Sequence, residues 1–427
     1  MKVLLALAFF TPLLISANSY HPNRLLVKTD AVETIENLIS KTHHKSLFKD
    51  WYVVYTKNLP VLKRELNQNK KILVFENDYR ADRKVLPETK SFAEQLDSKS
   101  SFNDPKVGSI WSFKDASRHG VSIERAYAAN FQGSQEKIIV AVIDTGIDYN
   151  HEDLKNVMWV NKNEIPGNGI DDDKNGYIDD IHGINTVQRD ERDNATGKMM
   201  DTHSHGSHVA GTIGAEQNNG IGISGIASNV SLMGLRTVPG SGDELDVDVV
   251  ESFIYAAKNG ARIINCSFGK DRNEGGQAVK EAIDFIGQKY GTLIIAAAGN
   301  SSNDIDRRLT YPASYSSINL LVVASTTSSG RLSYFSNYGE QNVDVAAPGS
   351  NIYSTTPGNR YGSKSGTSMA SPTTAGVAAE ILSRHPHLTP EKLKDLLMTT
   401  VTKSRRIRRP LKSGGRIDLY NALDSLN

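Results

Sequence analysis

Four short stretches carry the residue types that acyl-transfer chemistry needs. "VIDTGID" ends an apolar run on Asp144, and Gly146 then breaks the run. "DTHSHGSHVAGTIGA" offers His203, His205 and His208 ahead of a helix pattern of small residues. "AAAGN" closes another apolar run on Asn300, and "KSGTSMASP" sets Ser368 before the helical stretch "TTAGVAAEIL". Each stretch also has a plainer reading. A strand-end acid can form a turn, clustered histidines can hold a metal, an Asn after Gly can turn the chain, and a serine can cap a helix. Taken jointly they offer a hydroxyl that needs a base, a base that needs an orienting acid, and an amide that can donate to an oxyanion. Asp144, His205 and Ser368 follow the order Asp…His…Ser, one of the chain orders in which hydrolases assemble such a triad. A serine at a helix start is also well placed to stabilise developing negative charge, through the free N–H groups and the helix dipole.

Such residues need a rigid frame, and the chain supplies one from about residue 110. "KIIVAVID" (137–144), "NVSLMGLRTV" (229–238), "ARIINCSFG" (261–269), "GTLIIAAAGN" (291–300) and "NLLVVAST" (319–326) read as buried strands. "DVDVVESFIYAAKNG" and "GGQAVKEAIDFIGQKYG" read as helices between them. Val/Ile-rich strands alternating with helices predict an α/β fold with a parallel sheet covered on both faces. Sites in such folds sit at the carboxyl ends of the strands, where Asp144 and Asn300 fall.

Upstream lies a smaller α+β pattern: strands at "NRLLVKT", "DWYVVYT" and "KILVFEND", with helices at "AVETIENLISK" and "LPVLKRELNQNK". The polar stretch "LPETKSFAEQLDSKSSFNDPK" reads as a linker. Met1-Lys2 followed by "VLLALAFFTPLLISA" has the form of a signal peptide cleaved near Ala17, too short for a spanning helix. No later apolar run is long enough to span, so the expectation is a secreted chain, released outside the cell or into a periplasm. Charges nearly balance, 49 Lys+Arg against 48 Asp+Glu, so nothing calls for nucleic acid. The basic run "RRIRR" (405–409) reads as a solvated surface segment, with autoprocessing or anion binding as its other readings. Cys266 is the only cysteine, so no internal disulfide forms and stability must come from packing or bound ions.

The four stretches, in their order and separation, resemble the signature regions of the subtilisin family of serine proteases (subtilases). The resemblance covers about residues 110–425. It implies that Asp144 orients the base, His205 is the base, Ser368 is the nucleophile, and Asn300 donates to the oxyanion beside the backbone N–H of Ser368. One departure is Ser207, where the family usually carries Thr; it keeps the hydroxyl and loses a methyl. The resemblance further implies a protein or peptide substrate added as a strand between Ser267-Phe268-Gly269 and Gly240-Ser241-Gly242. The main specificity pocket would be lined by 267–269, Ala297-Ala298-Gly299 and Thr310, with Thr310 at the floor shortening it. The division implied is signal peptide 1–17, propeptide and linker 18–100, and catalytic domain 101–427. The propeptide would act as chaperone and intramolecular inhibitor, cut from the chain within about 88–105. A monomer is expected. Two rival readings keep the same residues: a binding protein on an inactive protease scaffold, and an esterase using the same triad.

"GIDDDKNGYIDD" (169–180) is the main cation signal, with Ca2+ as the structural ion. Asp171, Asp173, Asn175, the Tyr177 carbonyl and Asp179 fall at positions 1, 3, 5, 7 and 9 of an EF-hand-like loop, with Gly176 at 6. Position 12 is His182 instead of Glu, so the loop is not a true EF-hand. An acidic solvated loop is the other reading. A second calcium site is implied by resemblance, from Asp153 and Asn219 side chains with carbonyls of Gln217, Ile221 and Ile223.

Overall fold

A computed structural model describes residues 20–80, 101–240, 242, 244–271 and 276–427. The expected signal peptide, most of the linker and cleavage region, and Ser241 lie outside the described residues.

The N-terminal unit comprises β1 (Tyr20–Lys28), α1 (Val32–Glu36), β2 (Lys41–Phe48), β3 (Trp51–Thr56), α2 (Leu59–Gln68) and β4 (Val74–Tyr79). Its antiparallel sheet has the order β2-β3-β1-β4. Two readings are corrected here. The helix expected over "AVETIENLISK" stops at Glu36, and the polar "KTHHKSLF" forms the edge strand β2, unforeseen because its side chains alternate between two partly wet faces. Residues 101–106 are no linker: Phe102 packs against Phe113 and Tyr127, and the buried Asp104 accepts from Asn218 N, Gly220 N and Ser224 Oγ.

The larger unit runs α3 (Ile123–Ala129), β5 (Ile138–Asp144), β6 (Gly183–Arg189), β7 (Ala195–Thr196), α4 (His205–Gly214), β8 (Val230–Arg236), α5 (Asp246–Lys258) and β9 (Ile263–Cys266). It continues with α6 (Gln277–Tyr290), β10 (Leu293–Ala297), β11 (Leu320–Thr326), β12 (Val345–Pro348), β13 (Ile352–Thr356) and β14 (Arg360–Lys364). α7 (Thr367–Arg384), α8 (Pro390–Thr399), β15 (Thr402–Lys403), β16 (Gly415–Arg416) and α9 (Leu419–Asp424) complete it. The main sheet has the order β15-β16-β12-β11-β10-β9-β5-β8-β6-β7, parallel from β16 to β6. Side-chain alternation along β5 splits the core in two. Val140 and Val142 join Val209 of α4 and Ala375 of α7, while Ala141 and Ile143 join Val250 of α5 and Ile283 of α6. The expected α/β sheet covered on both faces is therefore observed.

The small sheet lies on α5 and α6, where Leu26, Trp51 and Val53 share an apolar cluster with Val247, Ile254 and Ile283. Polar contacts ring it. Lys45 pairs with Glu251 at 2.9 Å, Lys28 with Glu281 at 2.9 Å, and Arg24 with Asp248 at 3.0 Å. β4 carries two acids to two helix starts: Asp78 accepts from Val247 N at 2.9 Å, and Glu76 from Gln277 N and Ala278 N at 3.1 and 3.0 Å. These N–H groups have no intrahelical partner, so a carboxylate from another element satisfies both hydrogen bonding and dipole.

Candidate active site and cation sites

Asp144 ends β5 and His205 begins α4. Their approach requires Gly206, where a Cβ would stand 2.0 Å from Gly146 O and 3.1 Å from Asp144 Cβ. With glycine there the helix start closes on the strand end, and His205 Nδ1 lies 2.7 Å from Asp144 Oδ1. Asp144 is buried and the same oxygen accepts from Thr145 N at 2.8 Å. That contact leaves Nε2 as the ring nitrogen able to take a proton from elsewhere. The loop before His205 is tied down by Asp201, which accepts from His203 N, Ser204 N, Ser207 N and Ser207 Oγ. Asp201 was not foreseen as a positioning residue, although an acid a few residues before a helix start is a capping signal. Ser207 Oγ also accepts from Asp148 N at 2.9 Å, so the hydroxyl it shares with Thr is in use.

His208 takes no part in this pair. It is fully buried with Nε2 at 2.8 Å from Ile352 O, and burial, helped by the Lys364 cation, pushes its pKa down to about 3. With His205 held by Asp144 and His208 by carbonyls, the two rings do not converge on a metal.

Ser368 is the second residue of α7, and every residue from Thr367 to Ser383 is buried. Pro372 stands four residues later inside the helix. Lacking an N–H, it leaves the Ser368 carbonyl without its i+4 donor. Ser267 Oγ supplies one instead at 2.9 Å, and Asn265 Nδ2 in turn donates to Ser267 Oγ at 2.8 Å. The proline, placed where a helix would normally reject it, thus ties the helix start to the end of β9.

Asn300 faces the same helix start. Its Oδ1 accepts from Thr367 N at 2.8 Å and Thr367 Oγ1 at 2.9 Å, which fixes the amide with Nδ2 on the other side. A Cβ built on Gly366 would lie 3.5 Å from Ser368 N, 3.6 Å from Asn300 Nδ2 and 3.7 Å from Ser368 Cβ. Two N–H donors and the serine side chain therefore border one small space beside Gly366.

A cavity of about 70 Å³ opens from this space, lined by Ser267, Phe268, Gly269, Gly299 and Thr310 among others. The Thr310 methyl lies between the two glycines, 3.4 Å from a Cβ on Gly299 and 3.6 Å from one on Gly269. Ala297 lines the cavity and Ala298 does not. Residues along an extended segment alternate faces, and Ala298 points inward, with its carbonyl accepting from Asn337 Nδ2 at 2.8 Å. Gly240 and Gly242 are exposed and outside the cavity wall, on the segment after β8. That segment begins on Thr237 N and Val238 N, both donating to Asp144 O.

The acidic loop and the segment before it bring a cluster of carboxylates together. Glu164, Asp173 and Asp180 bring carboxylate oxygens within 4.8 Å of one another. Asp179 accepts from Gly167 N and Gly169 N, Asp171 from Asn175 N and Gly176 N, and Glu164 from Asp172 N, Asp173 N and Asp179 N. Asn175 Oδ1 accepts from Tyr177 N, and its amide donates to Asp173 and Asp180. Glu164 was missed because it lies in a separate segment; Asp180 sits one residue beyond the predicted positions. Burial raises the Asp180 pKa to about 6, and the neighbouring Asp173 charge adds to the rise. Close carboxylates of this kind, two buried and one partly buried, suit a hard cation with oxygen ligands. At the second site, buried Asp153 accepts from Asn219 Nδ2, Ile223 N and Tyr361 Oη, while Asn219 Oδ1 accepts from Ile221 N. Gln217 turns its amide to Tyr127 Oη and the Gly225 carbonyl. The loop thus curls around Asp153, whose pKa burial raises.

Fold and site together define an α/β protein with an Asp–His pair and a helix-borne serine at the carboxyl edge of a parallel sheet. The Subtilase family profile (peptidase S8) matches residues 135–415, and the chain belongs to that family. Subtilisin-like protease 1 of Plasmodium berghei (strain Anka) is 36% identical over 343 residues, covering 76% of this chain and 55% of that relative. The chain thus spans about half the length of that curated relative. Subtilisin DY of Bacillus licheniformis is 34% identical over 283 residues, covering 66% of this chain and 89% of that protein. Among solved structures, a protease from Pseudoalteromonas arctica superposes with a TM-score of 0.61 at 26% identity, over 77% of this chain and all of that one. Fervidolysin from Fervidobacterium pennivorans reaches 0.72 over 95% of this chain and 61% of its own; at 23% identity it speaks for the fold alone.

Proposed function

We propose that this chain is a secreted, calcium-stabilised serine endopeptidase made as a self-processing zymogen. The observation that carries the reading is the convergence around Gly366: Ser368, its backbone N–H and Asn300 Nδ2 border one space, and His205, held by Asp144 from the end of β5, starts the helix α4 that packs against α7. In this reading His205 Nε2 takes the Ser368 proton as Oγ attacks the scissile carbonyl. Asp144 holds the imidazole and stabilises the imidazolium that forms. Ser368 N and Asn300 Nδ2 donate to the carbonyl oxygen as it becomes an oxyanion; in a subtilisin, losing the equivalent Asn donor costs about 10²–10³ in rate. His205 then returns the proton to the leaving amine, and water, activated by the same base, releases the acyl group.

The N-terminal unit serves as propeptide. Its last strand caps α5 and α6 and ends with the Tyr79 carbonyl accepting from Lys270 Nζ at 3.0 Å, a residue of the cavity wall. β4 thereby ends beside a wall of the substrate cleft, the position from which a unit of this kind would inhibit the protease until the chain is cut. The Glu164–Asp173–Asp180 cluster and the Asp153 loop would hold calcium, whose binding to the folded chain alone stabilises it. A fluorophosphonate probe tests the chemistry: the processed chain becomes covalently labelled at Ser368, and Ser368→Ala and His205→Ala do not. Equal labelling of His205→Ala and wild type would defeat the assigned base.

A further inference from the structure

The basic run 405–409 is pinned to the protein surface. Ile407 packs against the core, and Pro410 O accepts from Gly339 N at 3.1 Å. Held there, Arg406, Arg408 and Arg409 join Arg331 around a pocket of about 230 Å³, completed by Leu332, Ser333 and Tyr334 and lined by no acidic side chain. Two of the four guanidiniums are anchored. Arg409 donates to Ser302 Oγ at 2.9 Å and stacks 4.6 Å from the Tyr338 ring, and Arg406 donates to Ser329 O at 3.2 Å. The side chains of Arg331 and Arg408 are exposed and make no hydrogen bond or ion pair among the described residues. Four cations facing one small space repel one another, and a chain with 49 basic and 48 acidic residues has acids enough to pair them. Planar guanidinium forks match the oxygens of sulfate and phosphate two at a time.

Tyr334, 80% exposed on the rim, adds a flat aromatic face. The C–H face of a sugar ring packs on such a ring, whose π face is negative. A single-stranded nucleic acid would ask for cations in a row along its backbone, with several aromatic platforms. Here the arginines gather around one pocket with one exposed ring.

We propose that this pocket binds an anionic oligosaccharide carrying sulfate or phosphate esters, the esters on the arginines and a sugar ring on Tyr334. The site lies outside the candidate catalytic cleft and is linked to it through neighbouring residues. Ser302, which holds Arg409, follows Ser301 of the cleft, and Ser333 Oγ lies 2.7 Å from Ser350 Oγ, beside the Gly349 carbonyl that accepts from Gly366 N. A bound glycan would hold the protein on an acidic matrix with its cleft nearby.

The test uses the full chain carrying Ser368→Ala, so it stands whether or not the chain is a peptidase. Binding of a heparin-derived hexasaccharide is measured by calorimetry across a salt series, beside Arg331→Gln/Arg408→Gln and the Arg→Lys pair. We expect the Gln pair to bind about 10-fold more weakly or worse, with the salt dependence shallower by about two charges. The Lys pair should recover part of the affinity, and Tyr334→Ala should weaken the hexasaccharide while sparing inorganic phosphate. Unchanged binding by the Gln pair, with the same melting temperature as the parent, overturns the site. Three results overturn the ligand class: inorganic phosphate binding as tightly as the hexasaccharide, or a glutamate peptide or single-stranded oligonucleotide of equal charge binding as tightly.

Discussion

Replacing Thr310 with glycine should move the specificity of the cleft from medium to large side chains. Its methyl lies between Gly269 and Gly299, and the cavity it lines holds about 70 Å³. Thr310→Gly removes three heavy atoms there. In an apolar pocket each methylene of fit is worth about 1–3 kcal/mol, or about 10–200-fold in kcat/KM. Cleavage after Phe or Tyr should therefore rise at least about 10-fold relative to cleavage after Leu. The backbone should hold, because Thr310 N donates to Ser314 Oγ at 3.0 Å and Thr310 O accepts from Ser314 N at 2.7 Å, neither using the side chain. The cost in stability should be near the roughly 1 kcal/mol typical of added glycine freedom. The assay is competition between peptides differing only at the residue before the cut, read by mass spectrometry as ratios of kcat/KM. The reasoning fails if the wild type already cleaves after Phe and Tyr far faster than after Leu, Met or Ala. It fails equally if Thr310→Gly leaves the Phe/Leu ratio unchanged.

Two further outcomes concern the propeptide and the cations. Burial raises Glu76 from 4.5 to about 7 in the docked unit, so its protonated form favours docking; that contribution is complete below about 4.5 and is lost as pH rises through about 7. Release of activity from the processed chain should accelerate from pH 5 to 8 by about 10-fold or more beyond any change seen in Glu76→Gln, and parallel profiles would remove Glu76 as the cause. Chelation should lower the melting temperature by several degrees, since calcium at about 100 times its Kd adds about 2.7 kcal/mol. Glu164→Gln should abolish more of that calcium-dependent rise than Asp171→Asn, and the reverse order would restore the EF-hand-like ligand set.

What was legible in the sequence follows from what is local. Buried parallel strands are continuous Val/Ile runs, so β5, β8, β9, β10 and β11 could be read directly, together with the Asp144 and Asn300 at or just beyond their ends. β2 was missed because an edge strand with two partly wet faces carries no apolar signature. Glu164 joins Asp173 and Asp180 only once a separate segment folds over the loop, which spacing within one motif cannot reveal. The resemblance puts Ala298 in the pocket wall together with Ala297, whereas alternation along the chain turns its methyl into the apolar cluster with Ile294 and Ala296. The role of Pro372 was the least visible, since a freed Ser368 carbonyl has meaning only when Ser267 arrives from β9 to meet it.

The most direct measurement is the intact mass of the purified full chain in calcium, wild type beside Ser368→Ala. The account predicts that wild type is cut between about residues 88 and 105, into a catalytic fragment and a propeptide that stays bound, while Ser368→Ala remains whole. Cutting of both chains alike at that junction, in the absence of any other protease, would contradict it.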